Sequence, residues 1–540
     1  MTVPADPPAR SDRLDVVIVG AGFSGMYMLH RARESGLSAV VLEAGDGVGG
    51  TWYWNRYPGA RCDSESYYYC YSFSPELERE WTWSERYPEQ PEILRYLNHV
   101  ADRFDLRRDI RFGRRVATAA FSDDDPGWTV CTEGGESYRA RFLVTAVGCL
   151  SAANVPDIPG LESFAGRWYH TGQWPHDGVD LAGQRVGVVG TGSTGIQAIP
   201  VIAERAAHLT VFQRTANYSV PARNGPVGAA EQRALKEDYP AIRRVQRAST
   251  NGHPFVVSGR PALSVPEDER RSVYEAAWDR GGLRFRASFA DLLTDKQAND
   301  TASEFIRDKI RETVRDPGTA RALLPTDHPF ATKRPPIDTD YFETYNRDDV
   351  TLVDVRRSPI EEITPDGVRT SDREHPLDVL VFATGFDALT GPLLGMDLRG
   401  SGGARLRDEW AAGPRGYLGL LVHGFPNLFT ITGPGSPSVL TNMPIAIEQH
   451  VDWITGCLAH MRDDGLTRVE ADPDAEGEWA REVRRAADAT LLPQASTSWY
   501  LGANVPGKPR VFLPYAGGFA HYARTCDEVA ADGYRGLTFA

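Results

Sequence analysis

Cysteine is scarce in this chain. Six occur in 540 residues, at positions 62, 70, 131, 149, 457 and 526, and none forms a C-x-x-C pair or a cluster of metal-ligand spacing. That excludes a disulfide reductase with a redox pair beside a nucleotide loop, implies no metal site, and fits a reduced, cytoplasmic protein without structural disulfides. Long apolar runs are missing too. The most apolar stretches, around Val16 and from Leu418 to Ile431, are broken by Gly, His, Asn or Pro, so neither reads as a membrane span. The opening Met1–Arg10 is polar and proline-rich, lacks a signal core, and reads as a loose tail. Positive charge is in deficit, 59 Lys and Arg against 73 Asp and Glu, and a formal net charge of −14 argues against nucleic-acid or anionic-membrane partners. No solenoid-type repeat is present. What remains is a large globular chain, 41% hydrophobic and 10% aromatic, long enough for about three domains.

Two glycine-rich loops stand out. The first reads Asp15-Val-Val-Ile-Val-Gly20-Ala-Gly22-Phe23-Ser24-Gly25 and the second Arg185-Val-Gly-Val-Val-Gly190-Thr191-Gly192-Ser193-Thr194-Gly195. Each follows a short β-branched run, as a strand entering a nucleotide-binding turn does. The first glycine permits the turn, the second lets backbone approach a pyrophosphate, and the third lets helix and strand pack closely. The following helix then presents unpaired N–H groups to the phosphates. Two such loops imply two dinucleotides, and the natural pairing is a flavin with the nicotinamide that reduces it. The strand ends separate the sites. Ala39–Leu42 ends in Glu43, a carboxylate suited to a ribose diol and hostile to a 2′-phosphate, so the first site should take FAD or NAD. Leu209–Phe212 ends in Gln213-Arg214-Thr215, where an arginine beside a hydroxyl suits the 2′-phosphate of NADPH.

These patterns predict an α/β fold of two Rossmann-like dinucleotide-binding domains with a helical insertion in the second. Residues 1–153 form the first part of the FAD domain, closing with a buried strand at Arg141–Gly148. Residues 154–385 form the NADP domain, with a charged helical insertion over about 222–332. Residues 386–540 return to the FAD domain and end in a surface loop over Trp499–Tyr515. Within the insertion, Ile306, Ile310, Thr313 and Val314 mark one amphipathic helix, and Ser264-x-x-Glu267 reads as a capping box. Further strands are expected at Val350–Val355 and Leu377–Ala383.

Three stretches go beyond generic nucleotide binding. Phe164-Ala-Gly166-Arg-Trp-Tyr-His170-Thr-Gly-Gln-Trp174-Pro175 matches an F-x-G-x-x-x-H-x-x-x-W-P fingerprint; Gly50-Thr51-Trp52 with Tyr57-Pro-Gly59 and Asp63 matches a second signature; Ala383-Thr-Gly385-Phe-Asp387 is similar to a later turn. In these, and in the order of its two loops, the chain resembles the class B, flavin-dependent Baeyer–Villiger monooxygenases over nearly its whole length. The resemblance implies NADPH- and dioxygen-dependent oxidation of ketones to esters or lactones through a C4a-peroxide of FAD. It makes Arg334 the fixed cation that stabilises the anionic oxidant and the adduct, with Asp63 as its orienting acid. Phe23, Ser24, Gly50, Thr51, Trp52, Asp63 and Tyr69 would line the FAD, and Met443 would stand between flavin and substrate, with Leu440 also on the substrate side. For NADP it implies Arg61 and Cys62 near the nicotinamide, Thr191 to Gly195 and Gln197 along the phosphates, Lys333 with Arg214 and Thr215 at the 2′-phosphate, and Trp499 as a cover.

Plainer readings stand beside these. Thr332-Lys333-Arg334 taken alone is a solvated basic turn, and Arg214 a solvated strand-end arginine. His170 reads as a structural hydrogen-bonding histidine, Cys62 as a small buried residue, Tyr67–Tyr69 with Tyr71 and Phe73 as packing, and Trp174 as an anchor. Two other functions remain open: a flavin-dependent N- or S-oxygenase, against which Trp174-Pro175 and Arg334 speak, and a non-catalytic flavin-binding sensor. Nothing in the sequence sets an oligomeric state or selects one ketone.

Overall fold

The computed structural model describes residues 13–540; the tail expected over Met1–Arg10 lies outside the described residues. The first sheet is organised around three parallel strands, Leu14–Val19 flanked by Ala39–Leu42 and Ser137–Thr145, with Val17 opposite both Val40 and Leu143. Val16, Val17 and Ile18 are fully buried: Val16 and Ile18 pack in a cluster with the helices Phe23–Glu34 and Met443–Asp463, and Val17 in one with Phe121, Trp128 and Val130 of antiparallel strands. Antiparallel strands Val116–Ser122 and Gly127–Thr132 extend one edge. Late in the chain Asp397–Arg399 joins Val116–Ser122 and Leu428–Thr430 joins Ser137–Thr145, so the C-terminal third returns to this sheet.

The second sheet has five parallel strands in the order Val350–Asp354, His208–Gln213, Arg185–Val189, Val379–Phe382, Arg167–His170. The fold is therefore α/β with two dinucleotide-binding units. Over the insertion, 222–332, run four α-helices, Ala229–Ala248, Glu267–Arg280, Lys296–Thr313 and Pro317–Leu323. The third buries Ile306 and Ile310 as its periodicity requires, and Val314 caps it.

Two local expectations fail. Ser264 does not cap the helix that begins at Glu267: Pro266 occupies the N-cap, and the Ser264 hydroxyl donates instead to Pro261 O. The stretch from Trp499 to Tyr515 is irregular but not superficial, because Tyr500, Leu513 and Tyr515 are 1–2% exposed and pin it to the interior. Among the described residues, no helix is long and apolar enough to cross a membrane.

Candidate active site

Both glycine-rich loops do what their spacing demands. A Cβ on Gly25 would lie 1.7 Å from Gly20 O, and one on Gly195 would lie 2.2 Å from Gly190 O, so in each unit only glycine lets helix and turn close up. The helices that follow, Phe23–Glu34 and Ser193–Ala203, start without a side-chain cap or an acidic first turn. Their leading N–H groups are free for an anion. These features fit two pyrophosphates.

A cavity of about 810 Å³ joins the two loops. From the first unit it is walled by Gly20, Gly22, Phe23, Ser24, Glu43, Gly50, Thr51, Trp52 and Tyr69, and from the second by Ser193, Thr194 and Gln197. Arg61, Cys62, Asp63, Arg334, Met443 and Trp499 complete it. Glu43 accepts from Ala21 N at 2.6 Å and Gly45 N at 2.7 Å, which aims the carboxylate; burial raises its proton affinity and these two bonds oppose that. Trp52 Nε1 donates to the Tyr69 hydroxyl at 3.1 Å, closing one wall.

The electrostatic centre is a pair drawn from opposite ends of the sequence. Arg334 Nε lies 2.5 Å from Asp63 Oδ2 and Nη2 lies 2.8 Å from Asp63 Oδ1, a bidentate fork. A third donor, Nη1, reaches Val439 O at 3.0 Å. A guanidinium has five N–H donors, so two remain without a protein acceptor. Burial disfavours the Arg334 charge, but Asp63 more than offsets it and the proton is held more tightly than in a free arginine. The segment that carries Asp63 is braced on the second unit: Tyr57 Oη donates to Gln197 Oε1 at 2.8 Å, and Gln197 Nε2 donates to Arg61 O at 3.0 Å.

A second basic cluster sits beyond the end of His208–Gln213. There Arg214 is exposed, the Thr215 carbonyl accepts from Thr191 Oγ1 at 2.9 Å, and Lys333 is half-buried. Burial lowers the proton affinity of Lys333; Asp327 opposes this, and Arg214 and Arg356 add to it. Arg356 was not anticipated. It donates to Thr215 Oγ1 at 3.0 Å and pairs with Asp327 at 2.5 Å. Its signal was the strand Val350–Asp354, whose last residue lies opposite Gln213. Residues just past both strand ends therefore share one edge. Three cations face one carboxylate here, which leaves room for an anion.

Several anticipated residues hold other positions. Gly25, Thr191, Gly192, Gly195, Arg214, Thr215 and Lys333 are off the cavity wall. Leu440 is off it as well: it packs toward Cys149 and Tyr500, while Val439 and Thr441 border the cavity. The reason is the 3₁₀ turn Ser438–Leu440, which rotates each successive side chain by a third of a turn. Arg61 borders the cavity, but its guanidinium is committed to Glu85 at 3.2 Å, Glu89 at 2.9 Å and Tyr87 O at 2.9 Å. Burial pushes the Cys62 thiol up, so it is an inert wall residue. His170 is buried and its Nδ1 accepts from Gly172 N at 3.0 Å, holding the turn that leads to buried Trp174.

Residues 17–226 match a family model described as pyridine nucleotide-disulphide oxidoreductase. All six cysteines are free, so the likeness lies in the dinucleotide-binding architecture and not in a redox disulfide. Over 527 residues the chain is 46% identical to a Baeyer–Villiger monooxygenase from Pseudooceanicola batsensis, with 97% of this chain and 96% of that protein aligned. The chain belongs to the Baeyer–Villiger monooxygenase family. A solved structure of an oxidised steroid monooxygenase bound to NADP superposes on this family member with a TM-score of 0.93 and 52% identity, covering 98% of this chain and 99% of the other. A phenazine N-monooxygenase from Lysobacter antibioticus is 44% identical over 527 residues, 97% of this chain and 96% of that protein.

Proposed function

We propose that this chain oxidises ketones to esters or lactones with NADPH and dioxygen, holding FAD at the first loop and NADP(H) at the second. The observation that carries this reading is the Arg334–Asp63 fork on the wall of the cavity that joins both loops. Bound FAD supplies oxygen activation, using hydride from NADPH. Arg334 holds a permanent positive charge where negative oxygen develops as the ketone carbonyl is attacked, and its two free donors can meet that charge. Asp63 and Val439 fix the guanidinium so that it does not reorient during the reaction. Phe23, Trp52, Tyr69, Met443, Ile447 and Trp499 supply apolar wall that excludes water.

The same reading assigns Glu43 to a ribose of FAD, Ser193, Thr194 and Gln197 to the NADP phosphate side, and Arg214, Thr215, Lys333 and Arg356 to the 2′-phosphate. It divides the chain into an FAD-binding part, 13–153 with 386–540, and an NADP-binding part, 154–385, a division supported by the two sheets. Free cysteines and a net charge of −14 support a cytoplasmic enzyme without nucleic-acid partners. Heteroatom oxygenation is the second reading, favoured by the relative named for nitrogen oxygenation. Product analysis under labelled dioxygen with a ketone panel and a thioether separates the two. Esters carrying one labelled oxygen are expected, and sulfoxide with no ester from any ketone overturns the proposal.

A further inference from the structure

Arginines alternate in the 3₁₀ segment Gly282–Ala287 of the helical insertion. Arg284 has a counter-ion and a hydrogen-bond partner. Its Nε lies 3.3 Å from Glu65 Oε1, its Nη2 donates to the Tyr67 hydroxyl at 3.3 Å, and its Cζ lies 5.1 Å from the centroid of the Phe255 ring. Arg286 is half-buried, yet among the described residues no carboxylate comes within 4.0 Å of it and no acceptor takes a hydrogen bond from it. Burial lowers the proton affinity of Arg286, and the charge of Arg334 lowers it further; Tyr500 and Asp63 oppose this without cancelling it, and Asp63 is committed to Arg334.

A chain of contacts ties this segment to the Arg334 pocket. Ser258 N donates to Ala287 O at 3.0 Å, fixing the segment to the loop before it. In that loop a Cβ on Gly252 would come within 2.5 Å of Thr441 Oγ1, so the loop lies directly on Thr441. Thr441 borders the cavity beside Val439, the acceptor for Arg334. His253, stacked on Phe255 with centroids 5.3 Å apart, has a buried Nδ1 without a partner, and Thr441 Oγ1 and Ser438 Oγ are buried and unpartnered as well. Thr441 stands on the cavity wall and Arg286, His253 and Ser438 lie off it, so one cation lacking a counter-ion and three unsatisfied polar atoms gather around this edge of the Arg334 pocket. Each is costly unless a ligand answers it.

We propose that Arg286 is a specificity residue that receives a carboxylate carried by the substrate, so that the preferred substrates are keto acids with the ketone at Arg334 and the acid at Arg286. This rests on the ketone-oxidising reading above. The test uses holoenzyme with linear keto acids of increasing length and their methyl esters, which match in size but lack the charge. At the matching length kcat/KM for the acid exceeds that for its ester by about tenfold to a hundredfold, the worth of one charge-assisted hydrogen bond. In Arg286→Met the ratio falls to about one through KM for the acid, and Arg286→Lys recovers part of it.

Calorimetric binding of the keto acid to oxidised enzyme with NADP⁺ gives a second readout: it is lost in Arg286→Met while FAD content and NADP⁺ affinity hold. The proposal is overturned by acids no better than esters at every length, by a ratio indifferent to Arg286→Met, or by a loss of NADP⁺ affinity that parallels the loss for the acid. If no ketone of either kind is oxygenated, the ketone reading fails. Binding alone then decides Arg286, and equal keto-acid affinity in wild type and Arg286→Met overturns its role.

Discussion

Replacing Asp63 by asparagine tests the central pair at constant shape. Asp63 accepts two donors of Arg334, at 2.5 and 2.8 Å. Asparagine keeps one acceptor oxygen and sets an amide NH₂ against the other guanidinium N–H. The variant therefore loses one charge-assisted hydrogen bond and the attraction of opposite charges. The side chains are 21% and 23% exposed, so the pair is neither a surface bridge of negligible worth nor a fully desolvated one. A loss of about 2 kcal/mol follows from the charge-assisted bond alone, about 30-fold in rate. Arg334 stays charged in the variant, since an arginine does not deprotonate near neutral pH, so the loss is one of aim and not of protonation. The expected signature is kcat for ester formation down about 30-fold, a rising share of NADPH consumption ending in hydrogen peroxide, and an unshifted pH–rate profile. Paired measurements of product, peroxide and NADPH consumption read this directly. Wild-type coupling with kcat within threefold, or an effect confined to KM for NADPH, refutes the role given to the fork.

Arg214→Ala should raise KM for NADPH about tenfold, one charge-assisted bond with Lys333 and Arg356 still present, and leave NADH nearly unchanged; equal losses for both coenzymes contradict a 2′-phosphate contact. Gly25→Ala forces a Cβ to 1.7 Å from a backbone oxygen, so the purified variant should lack flavin absorbance, and full FAD content would disprove the close-packing argument. Asp338 is buried, and burial pushes its carboxyl up to about 7, well above the value near 3.9 of an unfolded chain. The native state therefore binds the extra proton, and the stability this group supports is present below about pH 4 and lost as pH rises through about 7. Asp338→Asn should accordingly stabilise the fold relative to wild type more at pH 8 than at pH 5, by on the order of a few kcal/mol of unfolding free energy; an equal difference at both pH values in denaturant unfolding rules this out.

What could be read in the sequence was local in the chain. The glycine loops, Glu43 and the Arg214–Thr215 strand end are short patterns whose chemistry follows from neighbours within a few residues, and the folded chain keeps them beside the cavity or at its strand edge. What could not be read depends on adjacency that folding creates. Arg356 meets Thr215 only because two strands align Asp354 with Gln213. Val439 rather than Leu440 borders the cavity because a 3₁₀ turn sets the rotation there. The expected cap at Ser264 was displaced by Pro266, whose fixed φ already suits a helix start. The C-terminal stretch reads as a surface loop by its Gly and Pro content, yet three aromatic or aliphatic side chains bury it, a tertiary effect that local composition does not encode.

The Asp63–Arg334 fork joins residues 271 positions apart. Asp63 follows the first glycine loop, and Arg334 comes after the entire insertion. The fork can form only when both units and the insertion have folded and met. Its partner contact, Arg334 to Val439 O, comes from a third segment beside the late return to the first sheet. A cation positioned by three separate segments is correctly aimed in one arrangement of them only. The segment that carries Asp63 is braced on the second unit through Gln197, whereas each glycine loop is closed by contacts within its own unit. Nucleotide binding and cation placement are thereby mechanically separable. For that reason an Asp63 variant should lose coupling while retaining both dinucleotides.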